Sequence, residues 1–156
     1  AAIEKLESLG YLVDPELSSH NIKTFYSTTN QKPIVAYRGT QDLWDMKADA
    51  TIVTGKYDDP AFTHAVELYQ KVKRKYAAHG IPLATGHSLG GTKAALAGGR
   101  HGGQIIVFNP GTGLHKLKVN GHVYRTDKDI ISQRIDATSE HVSSGGHSLE
   151  HFNFLE

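Results

Sequence analysis

The chain has 156 residues, a length that suits one domain and that buries roughly 70% of its unfolded surface, so a stable core needs no cross-links. Lys+Arg 17 against Asp+Glu 16 leave a net charge of +1 with the ten histidines neutral, which gives no footing for binding nucleic acid or an anionic membrane. Cysteine is absent, which excludes a disulfide frame and thiol chemistry, and no apolar run approaches the roughly 18 residues of a membrane span.

Taken in order, Ile3, Leu6 and Leu9 recur every three residues, which predicts a short helix ended by Gly10. No signal-peptide pattern opens at Ala1, and Ala1-Ala2-Ile3-Glu4 is compatible with the trimmed start of a longer precursor. A soluble protein is expected, cytoplasmic or secreted after processing. Residues 22–40, IKTFYSTTNQKPIVAYRGT, read as two strands around a polar turn at Thr28–Gln31, with Pro33 at the start of the second, where a missing donor is tolerated. Residues 41–60 are polar, with Trp44 and Met46 embedded.

Asp59-Pro60 then supplies a cap and a first helical position. Phe62, Ala65, Val66, Tyr69, Val72 and Tyr76 follow at helical spacing until Gly80. The run Lys71-Val72-Lys73-Arg74-Lys75 is read as the solvated face of this helix. IPLAT (81–85) is a short apolar strand leading into a glycine turn, and LGGTKAALAGG (89–99) is a helix rich in small residues. QIIVFN (104–109) and HVYRT (122–126) are further strands, and a short helix is expected from Ser148. Strands alternate with helices after residue 60, which predicts a mostly parallel sheet with helices on its faces, in a single domain over 1–156.

The glycine turn carries the chemistry. Gly86-His87-Ser88-Leu89-Gly90 fits G-x-S-x-G, which can mark a serine nucleophile on a tight strand-to-helix turn. Gly86 to Lys93 nearly fits the phosphate-binding G-x-x-x-x-G-K-[ST], but Thr92-Lys93 inverts the last pair, and one position on a helix is about 100° of rotation. The nucleophile reading fits better. Glycines two before and two after the serine remove side chains that would collide with neighbouring backbone, and the helix N-terminus adds partial positive charge where an oxyanion would develop.

A serine needs a base, and the base an orienting acid. The order Ser, then Asp, then His is available here: Asp127 and Asp129 follow the strand HVYRT, and His141, His147 and His151 lie near the end. The segments IVAYRGT (34–40), TGHSLGG (85–91), VFNPGTG (107–113), YRTDKDIIS (124–132) and GHSLEHF (146–152) occur in an order that resembles the class 3 lipases of the α/β-hydrolase fold. The resemblance implies Ser88 as nucleophile, Thr40 and Leu89 as backbone oxyanion donors, and Asp129 as the acid, with Asp127 its rival.

His147 follows Gly145-Gly146 and precedes Ser148, which can cap the next helix, so it sits where a positioned imidazole is expected; His151 and His141 are the alternatives. His87 is read as packing beside the nucleophile, and His101, His115 and His122 as surface residues. His147 and His151 are spaced as zinc ligands can be on a helix, but no H-E-x-x-H accompanies them, and neither a metal nor a cofactor is expected.

Residues 42–59 are charged at Asp42, Asp45, Lys47, Asp49, Lys56, Asp58 and Asp59, so only a small cover around Trp44 and Met46 could meet substrate. This favours short or medium esters over long triglycerides. The expected protein is a minimal α/β-hydrolase that cleaves a small-molecule ester or lipid through Ser88, His147 and Asp129, with no nucleic acid and no integral membrane segment. The alternative is an inactive binding module on the same fold. Oligomeric state is left open.

Overall fold

In the computed structural model, residues 2–39, 60–87, 89–108, 118–126 and 136–143 are described. Helix α1 (Ala2–Ser8) closes at Gly10, whose φ of 88° only a residue without a side chain adopts cheaply. The expected helix is there, but Leu9 is 60% exposed, so its spacing from Leu6 is not a buried face. Strand β1 (Tyr11–Val13) follows, then β2 (Ile22–Ser27) and β3 (Ile34–Tyr37). The β2–β3 turn is held by Ser27, whose Oγ accepts from the N–H groups of Thr29 and Gln31 at 3.0 and 3.1 Å, and by Asn30 at φ 62°. Pro33 precedes β3 as expected, and its carbonyl accepts from Leu83 N–H at 2.9 Å.

Helix α2 (Pro60–Lys75) starts at the proline that sequence marked. Phe62, Ala65, Leu68, Tyr69 and Val72 form its buried stripe. A short 3-10 turn (Ala77–His79) and Gly80 at φ 103° lead to β4 (Leu83–His87), α3 (Leu89–Arg100), β5 (Gln104–Phe108), β6 (Lys118–Thr126) and β7 (Asp136–Ser143). The seven strands lie in the sheet in chain order. β1, β2 and β3 pair antiparallel, and β3 through β7 run parallel. The class is α/β with a mostly parallel sheet flanked by helices.

β4 starts two residues later than its apolar run and continues through Gly86 and His87, because both are paired: Gly86 with Tyr37 and Val107, His87 with Phe108. α2 and α3 pack on one face. Tyr37 sends its hydroxyl from β3 to the carbonyl of Ala65 on α2 at 2.9 Å. Gly98 of α3 lies against Ala84 and Ile105, which share that face through the Val35↔Ala84↔Ile105 register. The core between them holds Val35, Tyr37, Tyr69, Val72, Ala84, Ala94, Leu96, Ile105, Val107 and Val123. Tyr69 donates to the carbonyl of Pro82 at 2.6 Å. Burial raises the phenol of Tyr37 well above its usual range and that of Tyr69 to about 12, so both remain neutral donors.

The basic run on α2 is only in part a solvated face. Val72 is fully buried, Lys73 donates to the carbonyl of His101 at 2.9 Å, and Lys75 reaches the Asp14 carboxylate at 2.7 Å. Asp14, 3% exposed, also accepts from the Tyr76 hydroxyl and from the N–H groups of Glu16 and Leu17. Burial pushes its carboxyl up, but the bonds from Lys75 and Tyr76 outweigh that and hold it below the ordinary range.

Candidate active site

β4 ends at His87 and α3 begins at Leu89, so one residue, Ser88, joins strand to helix. Ser88 itself lies outside the described residues; its neighbours define how tight the turn is. A Cβ on Gly86 would stand 2.3 Å from the carbonyl oxygen of Gly90. A Cβ on Gly90 would stand 2.2 Å from the carbonyl oxygen of Tyr37 and 2.8 Å from Arg38 C and Gly39 N. Both obstacles are backbone and cannot rotate away. Each motif glycine is therefore required by the approach of another chain segment, strand β4 to helix α3 and helix α3 to the end of β3.

This geometry separates the two readings of the glycine motif. A phosphate cradle wraps several backbone N–H groups around the anion before its helix begins. A single connecting residue leaves no such loop, and Thr92 and Lys93 are buried within α3. The close backbone approaches at Gly86 and Gly90 are those that a tight strand-to-helix turn requires. Leu89, half-buried, opens α3, where the first N–H groups have no partner within the helix.

The parallel strands β3, β4, β6 and β7 have their C-terminal ends at one edge of the sheet. Each is followed in the chain by a residue that sequence singled out: Thr40 after β3, Ser88 after β4, Asp127 and Asp129 after β6, His147 after β7. Thr40, Trp44, Met46, Asp127, Asp129, His147 and His151 lie outside the described residues. His141 falls on β7 opposite Tyr124, inside the ladder. His87, half-buried, ends β4, and His122 is exposed. His101 is half-buried and stacked on Tyr69, with ring centroids 6.2 Å apart. Burial, then the charges of Lys73 and Arg100, lower its pKa. It follows α3, at the edge of the sheet away from the turn.

What sequence reasoning missed is the part played by Tyr37. Its carbonyl forms the wall against Gly90, and its hydroxyl ties the end of β3 to α2. A tyrosine in an apolar strand gives no signal of either contact.

The fold and turn thus define an α/β protein with a serine-bearing strand-to-helix turn at the C-terminal edge of a mostly parallel sheet. The family model of phospholipase-like proteins described as the Tle-like phospholipase domain matches residues 3–141, and the chain belongs to that family. No curated protein matches the chain. The family match spans Thr40, Ser88, Leu89 and Asp129 and stops before His147. Among the described residues no helix is long and apolar enough to cross a membrane.

Proposed function

We propose that the chain is a serine hydrolase, a minimal α/β-hydrolase of the class 3 lipase type, that cleaves carboxylic esters of lipids. The observation that carries the reading is the one-residue connection from His87 of β4 to Leu89 of α3, flanked by Gly86 and Gly90, each closed off by backbone. A tight strand-to-helix turn of this kind can carry a serine nucleophile beside a helix N-terminus, the role we assign to Ser88. Membership of a phospholipase-like family supports a lipid ester, and a phospholipid in particular, as the substrate class.

In the proposed mechanism Ser88 Oγ attacks the ester carbonyl while His147 takes its proton. Asp129 holds the imidazole in the tautomer that can accept and stabilises the imidazolium. The N–H groups of Thr40 and Leu89 receive the oxyanion, each worth about 3 kcal/mol in the transition state. The carbonyl reforms, the C–O bond to the alcohol breaks, and the imidazolium proton leaves with that alcohol. Water then gives a proton to His147 and its oxygen to the acyl carbon. Ser88 recovers its hydrogen as the carboxylic acid departs. The chemistry needs no cofactor.

A fluorophosphonate probe tests the reading directly. The folded wild type takes the label at Ser88, and Ser88→Ala loses both the label and turnover, leaving at most the roughly 10³–10⁴-fold over water that an oxyanion hole alone provides. An unlabelled, folded wild type would point to the binding module instead. Ester turnover that survives in folded Ser88→Ala would refute the mechanism.

A further inference from the structure

Arg38 follows β3 at the edge where the serine turn emerges. Its N–H donates to the carbonyl of Asn21 at 2.8 Å, which carries the β2–β3 ladder one step past the Ile22↔Tyr37 pair. Tyr37 points to the helices, so the alternation of the strand sends Arg38 to the opposite face. Lys23 lies on that face as well, paired with Ala36 and flanked by the buried Ile22 and Thr24. Lys23 and Arg38 are therefore diagonal neighbours, roughly 7–8 Å apart and within reach of long side chains.

Arg38 Nη1 lies 3.2 Å from His20 Nε2. A guanidinium only donates, so the ring nitrogen is the acceptor of this pair. The histidine fixes the guanidinium without cancelling its charge. Arg38, Lys23 and His20 are all exposed, and among the described residues no carboxylate pairs with either cation. Three other lysines are held by partners: Lys75 by Asp14, Lys73 by a carbonyl and Lys32 by Gln104.

The position gives this small cationic face its meaning. The Tyr37↔Gly86 register sets Arg38 level with His87, the residue before Ser88, at about one strand spacing of 4.8 Å. In a glycerophospholipid the phosphodiester and the acyl esters hang from the same glycerol, so an ester presented to the serine turn brings its phosphate within reach of side chains beside that turn. Arginine's planar fork matches phosphate oxygens, and a lysine nearby adds a second charge.

We propose that Arg38, oriented by His20 and supported by Lys23, is the site that receives the phosphate of a glycerophospholipid substrate. The proposal rests on the serine-hydrolase reading above and sharpens it from an ester to a phosphate-bearing ester.

The test compares two monomeric substrates with the same acyl chains, a short-chain phosphatidylcholine below its micelle concentration and the matching diacylglycerol. The quantity read is the ratio of their kcat/KM values. Arg38→Gln should lower that ratio about five- to tenfold, the lower end for a charge-assisted hydrogen bond at an exposed site. Lys23→Gln should lower it by less, and Arg38→Lys should restore part of it. Equal losses on both substrates, or an unchanged ratio, would overturn the proposal while Ser88-dependent diacylglycerol turnover leaves the hydrolase reading standing. A loss seen only on anionic vesicles would show general membrane attraction and also overturn it. Inorganic phosphate supplies the last arm: if it alters diacylglycerol turnover in the wild type but not in Arg38→Gln, with the substrate ratio unchanged, the site takes free phosphate and the headgroup assignment fails.

Discussion

Replacing Gly90 by alanine puts one methyl group where the structure has room for a hydrogen. The new carbon would lie 2.2 Å from the Tyr37 carbonyl oxygen and 2.8 Å from Arg38 C and Gly39 N. Ordinary contacts begin near 3.5 Å, so a gap of about 1 Å must open. Tyr37 cannot yield easily, being paired with Gly86 and anchored to Ala65, while Arg38 is bonded to Asn21. The strain must tilt the start of α3 away from β3. Overpacking of this kind costs about 1–3 kcal/mol, and alanine's better helix propensity returns up to about 1 kcal/mol. A net loss of about 1–2 kcal/mol lowers Tm by roughly 2–8 °C for a domain of this size. The effect on turnover should be far larger, because a displacement near 1 Å between reacting groups can cost about 10²-fold. Gly98→Ala is the matched control. Its Cβ would stand 2.8 Å from Ala84 Cβ, at the other end of the same helix. Melting curves followed by circular dichroism and kcat on a short p-nitrophenyl ester separate the two. Gly90→Ala should melt a few degrees low with kcat down about a hundredfold, and Gly98→Ala should melt low with kcat within a factor of about three. If Gly90→Ala stays folded with normal kcat, the contact between α3 and the end of β3 does not set the geometry of the reaction.

His147→Ala should abolish ester turnover while His151→Ala and His141→Ala retain most of it, and kcat/KM of the wild type should fall with acid through a group in the usual imidazole range near 6–7; a dead His151→Ala beside an active His147→Ala would move the base to His151. Asp14→Ala strips the acceptor from Leu17 N–H and the Tyr76 hydroxyl and should cost roughly 2–3 kcal/mol, or about 4–12 °C in Tm. Because the folded Asp14 carboxyl is held below its unfolded value, that stability is complete above about pH 4 and is lost as pH falls through the lowered folded value, so wild type and Asp14→Ala should converge in Tm in acid and differ fully at neutral pH. A Tm difference unchanged down to strong acid would show that the carboxylate's charge is not what holds the loop.

The central elements were legible because their signals are local. Asp59-Pro60 marks the start of α2, its apolar spacing marks the buried stripe, and the glycines of residues 86–91 mark the turn. β7 escaped because Asp136–Ser143 is polar and has no apolar run; its backbone ladder to β6 defines it. β1 escaped because three residues are too few to show alternation. The apolar pattern marks only the last five residues of β6 because Gly121, at φ 154° and pressed against the carbonyl of Ile105, lies at an irregularity between Val119 and His122 that breaks the alternation. The site divides the same way. The serine motif is contiguous and could be read directly. His20 and Arg38 are brought together by the β2–β3 register, and no local pattern announces that they touch.

The composition of α3 links core to site. Gly90, Gly91, Ala94, Ala95, Ala97 and Gly98 are all buried, so nearly every side chain that meets the sheet is a methyl group or a hydrogen. Such a helix can lie unusually close to β3, β4 and β5, as the contacts of Gly98 with Ala84 and Ile105 at one end and of Gly90 with Tyr37 at the other record. That closeness fixes how far the first N–H groups of α3 stand from the chain leaving β3. On the proposed mechanism those are the two halves of the oxyanion site, Leu89 and Thr40. On that mechanism the separation of the oxyanion donors is set by helix–sheet packing at the start of α3, where Gly90 meets Tyr37. Since protein interiors are packed as densely as organic crystals, a larger side chain at the Gly90 end of that face would be transmitted to the turn.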